Sequence, residues 1–388
     1  MSHPIATSDV VLACTLPGHG LPDILKTAIS EDISWEDFIA TARKEALAEL
    51  VFHFQKETFG HGLVPEFVRD AIKHEHTITL GRNTVFLENL AELEQALAGL
   101  DLIVLKGAYL VRSVYATPAL RRFSDIDVLV RKADLVEIEN RLNETEYRRI
   151  GEETSNENGD SERDSLVYRR QDGGPGLHIH WHLIKSDTPA YARVELDIDA
   201  IWNAATRDED GRLQMNPVHR VIHLAEHVLH HSYNRLVLLR DIAEIIDRHG
   251  DDFEWNRLSS DSRACQLSLP VFYALSYIHK KGLLNIPENV LESLQQEGLS
   301  VVGRLFVRYT LEDRRFPELS NLGYFDMVIG LNQKRRYLAS LAFPPTKTLA
   351  AIYNTEPEAI TKWFYTKRLI RGFYHIARSL LEFIRPNP

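Results

Sequence analysis

Two cysteines in 388 residues, Cys14 and Cys265, are too few and too far apart for a disulfide framework. No run of about 18 apolar residues interrupts the sequence, so no membrane span is expected. The first residues, MSHPIATSDV, lack the basic start and apolar stretch of a secretory leader. No internal repeat stands out. These absences give a reducing, cytoplasmic setting as the expectation. An excess of positive charge is missing as well. The net charge is −10, which argues against a general nucleic-acid binder. The charge is uneven: residues 331–388 hold ten Lys/Arg against three Asp/Glu, leaving −17 on the other 330 residues.

The patterning that is present divides the chain into three parts. Residues 1–100 read as helical, with Ser34 and Asp37 spaced like a capping box and Pro65 and Gly99 as start and stop signals. From 101 to 205 the period shifts. LIVLKG (Leu102–Gly107) reads as a strand, AYLVRSVY as a helix, IDVLV as a second strand and ADLVEIENRLNE as another helix. SLVYRR and GLHIHWHLI flank QDGGP as a hairpin, and residues 151–164, without an apolar side chain, read as a mobile loop. Residues 206–388 read as helical, with breaks near Gly250, Pro270, Pro287, Pro317 and Pro344–Pro345. The expectation is an α+β protein: a small mixed-sheet core flanked by N-terminal helices and a large C-terminal helical region that ends in a basic helix.

Asp125 and Asp127 stand two apart in RRFSDIDVLV, so a strand puts both carboxylates on one face. An unpartnered carboxylate at the edge of a core is costly, and a metal with phosphate oxygens would complete such a pair. Upstream, Lys106, Gly107 and Ala108 form a strand-to-helix turn. A glycine there lets backbone approach a phosphate at a helix N-terminus, although a plain tight turn has the same pattern.

The stretch LIVLKGAYLVRSVYATPALRRFSDIDVLV resembles the core of the uncharacterised nucleotidyltransferase family, within the DNA polymerase β-like superfamily. The resemblance rests on the Leu-Lys-Gly-Ala turn, Tyr115, Pro118, Arg121 and Ser124-Asp125-Ile126-Asp127, and extends loosely over residues 50–350. It implies an NTP as co-substrate, Mg²⁺ at Asp125 and Asp127, and transfer of a nucleoside monophosphate to an acceptor. It also implies phosphate contacts from Lys106, Gly107, Ala108, Arg121 and Ser124. The third carboxylate of the superfamily is expected in LHIHWHL, where His178 occupies the position.

Alternation in that segment places His178, His180 and His182 on one face. They could join a metal site, for which Mn²⁺ suits imidazole better than Mg²⁺. His180 alone could orient a substrate or an aspartate, or the face could be solvated surface. Glu195, Asp197 and Asp199, also spaced by two, are substitutes for the third acid or an exposed edge. Arg121 and Arg122 could hold phosphate or neutralise the aspartates. His223, His227 and His231 stack on one helical face; Leu224 stands where a zinc protease needs Glu, and His227 reads either as a buried residue paired with Asp241 or as a contact to the nucleotide or acceptor.

The sequence therefore points to a Mg²⁺-dependent nucleotidyltransferase in which Asp125, Asp127 and His178 do the chemistry. Lys106, Gly107, Ala108, Arg121, Ser124 and His180 bind the nucleotide. The acceptor is unidentified: a small molecule, peptide or protein is favoured over a nucleic-acid end, which also fits. Two other readings stand beside it: a non-catalytic nucleotide-binding or scaffold protein that lost the third acid, and a metal-dependent phosphohydrolase using the His face. The basic terminal helix either packs on the body or touches a membrane surface.

Overall fold

The computed structural model describes residues 6–16, 26–28, 33–59, 64–150, 165–184, 196–295, 298–312, 320–328, 330–353, 355–371 and 374. Three short helices, α1 (Thr7–Ala13), α2 (Trp35–Lys44) and α3 (Ala48–Phe59), lead to the 31-residue α4 (Glu66–Ala96). Ser34 caps α2, its Oγ accepting the Asp37 N–H at 3.2 Å, as the sequence spacing predicts. After α4, Gly99 takes φ +86°, a left-handed turn that sends the chain into the sheet.

The sheet alternates with helices. Strand β1 (Leu102–Val104) leads to α5 (Lys106–Ser113), β2 (Asp125–Val130), α6 (Leu135–Leu142), β3 (Tyr147–Arg149), β4 (Ser165–Arg170) and β5 (Gly176–His180). Helix α7 (Ile198–Asn203), β6 (Thr206–Arg207) and β7 (Leu213–Gln214) complete it. The seven strands run β3-β4-β5-β2-β1-β7-β6. The pairs β1–β2, β3–β4, β4–β5 and β6–β7 are antiparallel, while β2–β5 and β1–β7 are parallel. The chain is thus α+β with a mixed sheet. The expected loop at 151–164 lies outside the described residues.

Alternation sorts the two faces of the sheet. Ile126, Val128 and Val130 of β2, with Leu177 and Ile179 of β5, face a core closed by Phe86, Leu90 and Leu93 of α4, Val111 of α5 and Ile138 of α6. The opposite face carries Asp125, Asp127 and Leu129 on β2. Near Leu129 it continues as a smaller apolar cluster with Ile103, Leu105, Leu183, Ile201, Trp202 and Met215. Helices α8 (Pro217–His230), α9 (Val237–His249), α10 (Trp255–Ala264), α11 (Ser268–Lys280) and α12 (Glu288–Leu294) follow in the same compact unit, which runs to residue 296. Pro270 falls in the first turn of α11, where its missing N–H is tolerated, and does not break the helix.

A second unit holds the described residues from 298 onward: α13 (Val301–Phe306), α14 (Ser320–Met327), α15 (Leu331–Ala342), α16 (Thr346–Tyr353) and a helix over 362–371. That last helix begins the basic terminal segment. Arg368 donates to the Leu341 carbonyl at 3.0 Å, and Phe364 packs on Tyr353. Apart from Tyr374, the segment beyond 371 lies outside the described residues.

The connector before β2 is held by a buried polar network. The Arg121 guanidinium grips both oxygens of Asp241 on α9, at 2.8–3.0 Å, and Tyr115 donates to the same carboxylate at 2.8 Å. Asn83 of α4 donates to the carbonyls of Pro118 and Arg121 at 2.7 and 2.8 Å. Breaking a buried ion pair by deleting one partner costs about 3–5 kcal/mol, because the other charge stays buried. Asp241→Ala is therefore expected to lower the unfolding free energy by about that amount in urea titrations. The double variant Arg121→Met, Asp241→Leu should recover most of the loss. A single variant as stable as the parent would contradict the network's role.

Candidate functional site

Asp125 and Asp127 project from β2 on the face away from the main core. The parallel register sets Asp125 opposite Gly176, Asp127 opposite His178 and Leu129 opposite His180. Three cationic or polar groups converge on Asp127. Lys106 Nζ donates to its Oδ1 at 2.7 Å, and His180 Nε2 meets the same oxygen at 2.8 Å. His178 Nδ1 lies 3.6 Å from Asp127 Oδ1 and 3.6 Å from Asp125 Oδ2. Both carboxylates therefore sit around one imidazole. Asp127 is buried, whereas Asp125 is more than a third exposed and accepts a hydrogen bond from Ser124 Oγ at 3.0 Å.

Burial alone would raise the Asp127 carboxyl, but Lys106 and the two imidazoles outweigh it and hold the group well below the usual carboxylate range. The histidines diverge. The hydrogen bond with Asp127 raises half-exposed His178, whereas burial lowers His180 despite its own bond to the same oxygen. A neutral His180 whose Nε2–H donates to Asp127 keeps its lone pair on Nδ1. It orients the carboxylate in this state, and offering Nε2 to a metal would require loss of that proton. Asp127, His178 and His180 form the only cluster of three metal-ligating side chains among the described residues.

The Lys106–Gly107 turn differs in detail from the sequence reading. The left-handed residue is Lys106, with φ +45°, a conformation that costs a non-glycine residue roughly 1–2 kcal/mol. Gly107 is needed for space: a Cβ there would lie 2.6 Å from the Cβ of Phe123. Ala108 is fully buried in the main core, so only its backbone is available to a ligand. No side chain caps α5, and its first-turn N–H groups point outward from the strand end that carries Lys106.

Other expected site residues are placed elsewhere. Arg121, expected at the triphosphate, is buried and uses its guanidinium on Asp241 and the Arg122 carbonyl. Asp241 is consequently Arg121's partner and not that of His227. His182 leaves the strand alternation, its Nδ1 pairing with the backbone of Ile184 at 3.0 Å. Asp197 accepts the Ala200 N–H as the cap of α7, and Asp199 lies in that helix's first turn, so the expected edge is a helix start. Glu195 lies outside the described residues.

A family model described as "uncharacterised nucleotidyltransferase" matches residues 31–281, well over half of the chain. The chain belongs to this nucleotidyltransferase family. No curated protein and no solved structure matches it. Membership supports a general nucleotidyltransferase role, and the matched span contains the whole Asp/His cluster. No helix among the described residues is long and apolar enough to cross a membrane.

The Asp/His cluster has further neighbours on α8. His223 of α8 is buried and lies close enough to Lys106, His180 and Asp127 for their charges to act on it. Its two ring nitrogens have no protein hydrogen-bond partner. The stacking of His223 and His227 was legible from their spacing, with ring centroids 6.3 Å apart. Their proximity to Lys106 was not, because it depends on how α8 crosses the sheet. Arg220, one turn earlier, is also fully buried; its guanidinium lies 3.3 Å from the Tyr109 ring centroid.

Burial, then the charge of Lys106, hold His223 and His227 well below the usual imidazole range. Both stay neutral when folded but take up protons when unfolded below about pH 6.5. Their contribution to stability is thus present above that pH and lost as pH falls; His178, raised in the folded state, works in the opposite sense. Urea titrations should show the unfolding free energy declining from pH 7 to pH 5, by up to about 1.4 kcal/mol per pH unit for each imidazole. The double variant His223→Leu, His227→Leu should flatten that slope. An unchanged slope would show that neither ring is held neutral by burial.

Proposed function

We propose that the protein transfers a nucleoside monophosphate from an NTP to a non-nucleic-acid acceptor, with Asp125 and Asp127 as its metal-holding carboxylates and His178 in the place of a third acid. The reading rests on one juxtaposition. The two carboxylates of β2 surround His178 of the adjacent parallel strand, beside the uncapped start of α5 at Lys106 and Gly107. A divalent cation fits this donor set: two carboxylates and an imidazole favour Mg²⁺ or, with the nitrogen counted, Mn²⁺. When bound, such an ion neutralises triphosphate charge and acidifies an acceptor hydroxyl.

The chain's own groups then divide the work. The first N–H groups of α5 and the Lys106 ammonium bind phosphate oxygens, while His180 fixes the Asp127 carboxylate in one orientation. Ser124 does the same for Asp125. A second reading, nucleotide binding without transfer, draws on a specific observation: Lys106 already neutralises Asp127, and no third carboxylate joins the cluster among the described residues.

Calorimetry with Mn²⁺ and a non-hydrolysable ATP analogue tests the site. Asp125→Asn and Asp127→Asn should each weaken metal-dependent binding at least tenfold while the circular dichroism spectrum stays that of the parent; unchanged affinity in both would remove the metal site from β2. Pyrophosphate release should be faster with Mn²⁺ than with Mg²⁺ in the parent, and His178→Asp should shift the preference towards Mg²⁺. Tight NTP binding without pyrophosphate release from any acceptor would favour the second reading.

A further inference from the structure

The sheet face that presents Asp127 continues beyond the carboxylate into the apolar cluster around Leu129 and Ile201. Over that cluster, residues of α7, α8 and α10 enclose a cavity of about 460 Å³. Its walls are mainly aliphatic, including Leu183, Ile201 and Ile222. The charged groups on the wall are already engaged. Arg257 Nε donates to Asp261 at 3.3 Å, His219 Nε2 meets the same carboxylate at 3.2 Å, and Asp197 caps α7. The lining groups left without a protein partner are imidazole nitrogens: His219 Nδ1 and both nitrogens of His223.

His223 belongs to two places at once. It lines this cavity, and it lies within range of the charges of Lys106 and Asp127. A neutral imidazole offers one donor and one acceptor, which is the complement of a hydroxyl group. A carboxylate in the cavity would meet Asp197 and Asp261 with only one guanidinium, itself shared. An ammonium could pair with Asp197 or Asp261 but could not accept the imidazole N–H. The volume suits a small molecule, since such sites commonly span about 300–1,000 Å³.

We infer that this cavity binds an uncharged, mainly apolar small molecule and places its hydroxyl group against His223. That this hydroxyl is the acceptor rests on the function proposed above. In that case its oxygen bonds to the α-phosphorus, the bond to the bridging oxygen breaks, pyrophosphate leaves with the electron pair, and the hydroxyl proton passes to water. His223 acts as a positioning contact for the hydroxyl and carries no proton in this scheme.

The test needs neither nucleotide nor metal. The neutral dye N-phenyl-1-naphthylamine is titrated into the full-length protein and displaced with 1-decanol, decyl methyl ether, decanoate or decylamine. Decanol should displace the dye at concentrations at least tenfold below those needed for the other three. Ala200 and Ala264 line the cavity and are exposed, so Ala200→Trp and Ala264→Trp should close it without disturbing the fold. Each should weaken dye binding. His223→Leu should keep the dye but lose the preference for decanol over the ether; its thermal midpoint should not fall, because two unpartnered buried nitrogens are replaced by an apolar group.

Equal displacement by all four compounds, or dye binding unchanged in both tryptophan variants, would overturn the inference. Asp127→Asn should leave decanol binding intact while losing nucleotide binding. Loss of the alcohol site with nucleotide binding retained therefore counts against this inference alone. Loss of nucleotide binding in the parent counts against the proposed function alone.

Discussion

The carboxylate of Asp127 is the constraint around which this structure is arranged. It is buried at the junction of two parallel strands, where desolvation of an ion costs several kcal/mol. Its direct partner, Lys106 at 2.7 Å, returns roughly 6 kcal/mol of gross attraction at an effective dielectric of about 20, before its own desolvation is counted. Lys106 must also hold a left-handed backbone to open α5. The pair alone comes close to cancelling, so the imidazoles of His178 and His180 decide whether the charge is tolerated. An apolar residue at 127 would pack the sheet more simply. Buried charge and backbone strain thus coincide at one corner of the sheet.

The second constraint is mechanical. Arg121, Asp241, Tyr115 and Asn83 tie the connector before β2 to α9 and α4. They fix the point at which the chain enters the strand, and hence the register that sets Asp127 opposite His178. Arg121 lies only four residues before Asp125, and its charge invites a phosphate-binding role. Its partner is 120 residues away in sequence, so its role becomes visible only once the chain is folded.

Much of the sheet could be read from period-two alternation. Ile126, Val128 and Val130 of one strand and Leu177 and Ile179 of its neighbour share one face of the sheet, so the polar positions between them meet on the other. The hairpin of β4 and β5 followed from its glycine turn. Strands β6 and β7, two residues each, carry too little pattern to register, although they extend the sheet beside β1. Asp197 read as part of an alternating acidic edge because capping depends on backbone geometry that spacing by two does not distinguish from a strand. Nothing in the sequence signalled the left-handed conformation of Lys106, and the constraint on the neighbouring glycine, read as room for a phosphate or a tight turn, is the closeness of Phe123.

Helix α8 shows the same physics from the other side of the site. Within about one turn it presents His219, Arg220 and His223, each buried or nearly so and each with a polar atom that no protein group satisfies. Arg220 stacks on Tyr109 and donates to the Val104 carbonyl at 3.3 Å, yet burial still pushes its guanidinium down to about 10. Unsatisfied buried groups are scarce in folded proteins, and three of the residues that carry one here fall within five residues of this helix. A helix selected only to cover a sheet would carry leucine at these positions. The polar face of α8 is explained if what it must meet is incomplete in the protein alone: the Asp127 corner at one end and the cavity beside Ile201 at the other. His223 is the residue of this helix that lines the cavity and also feels the charges of Lys106 and Asp127.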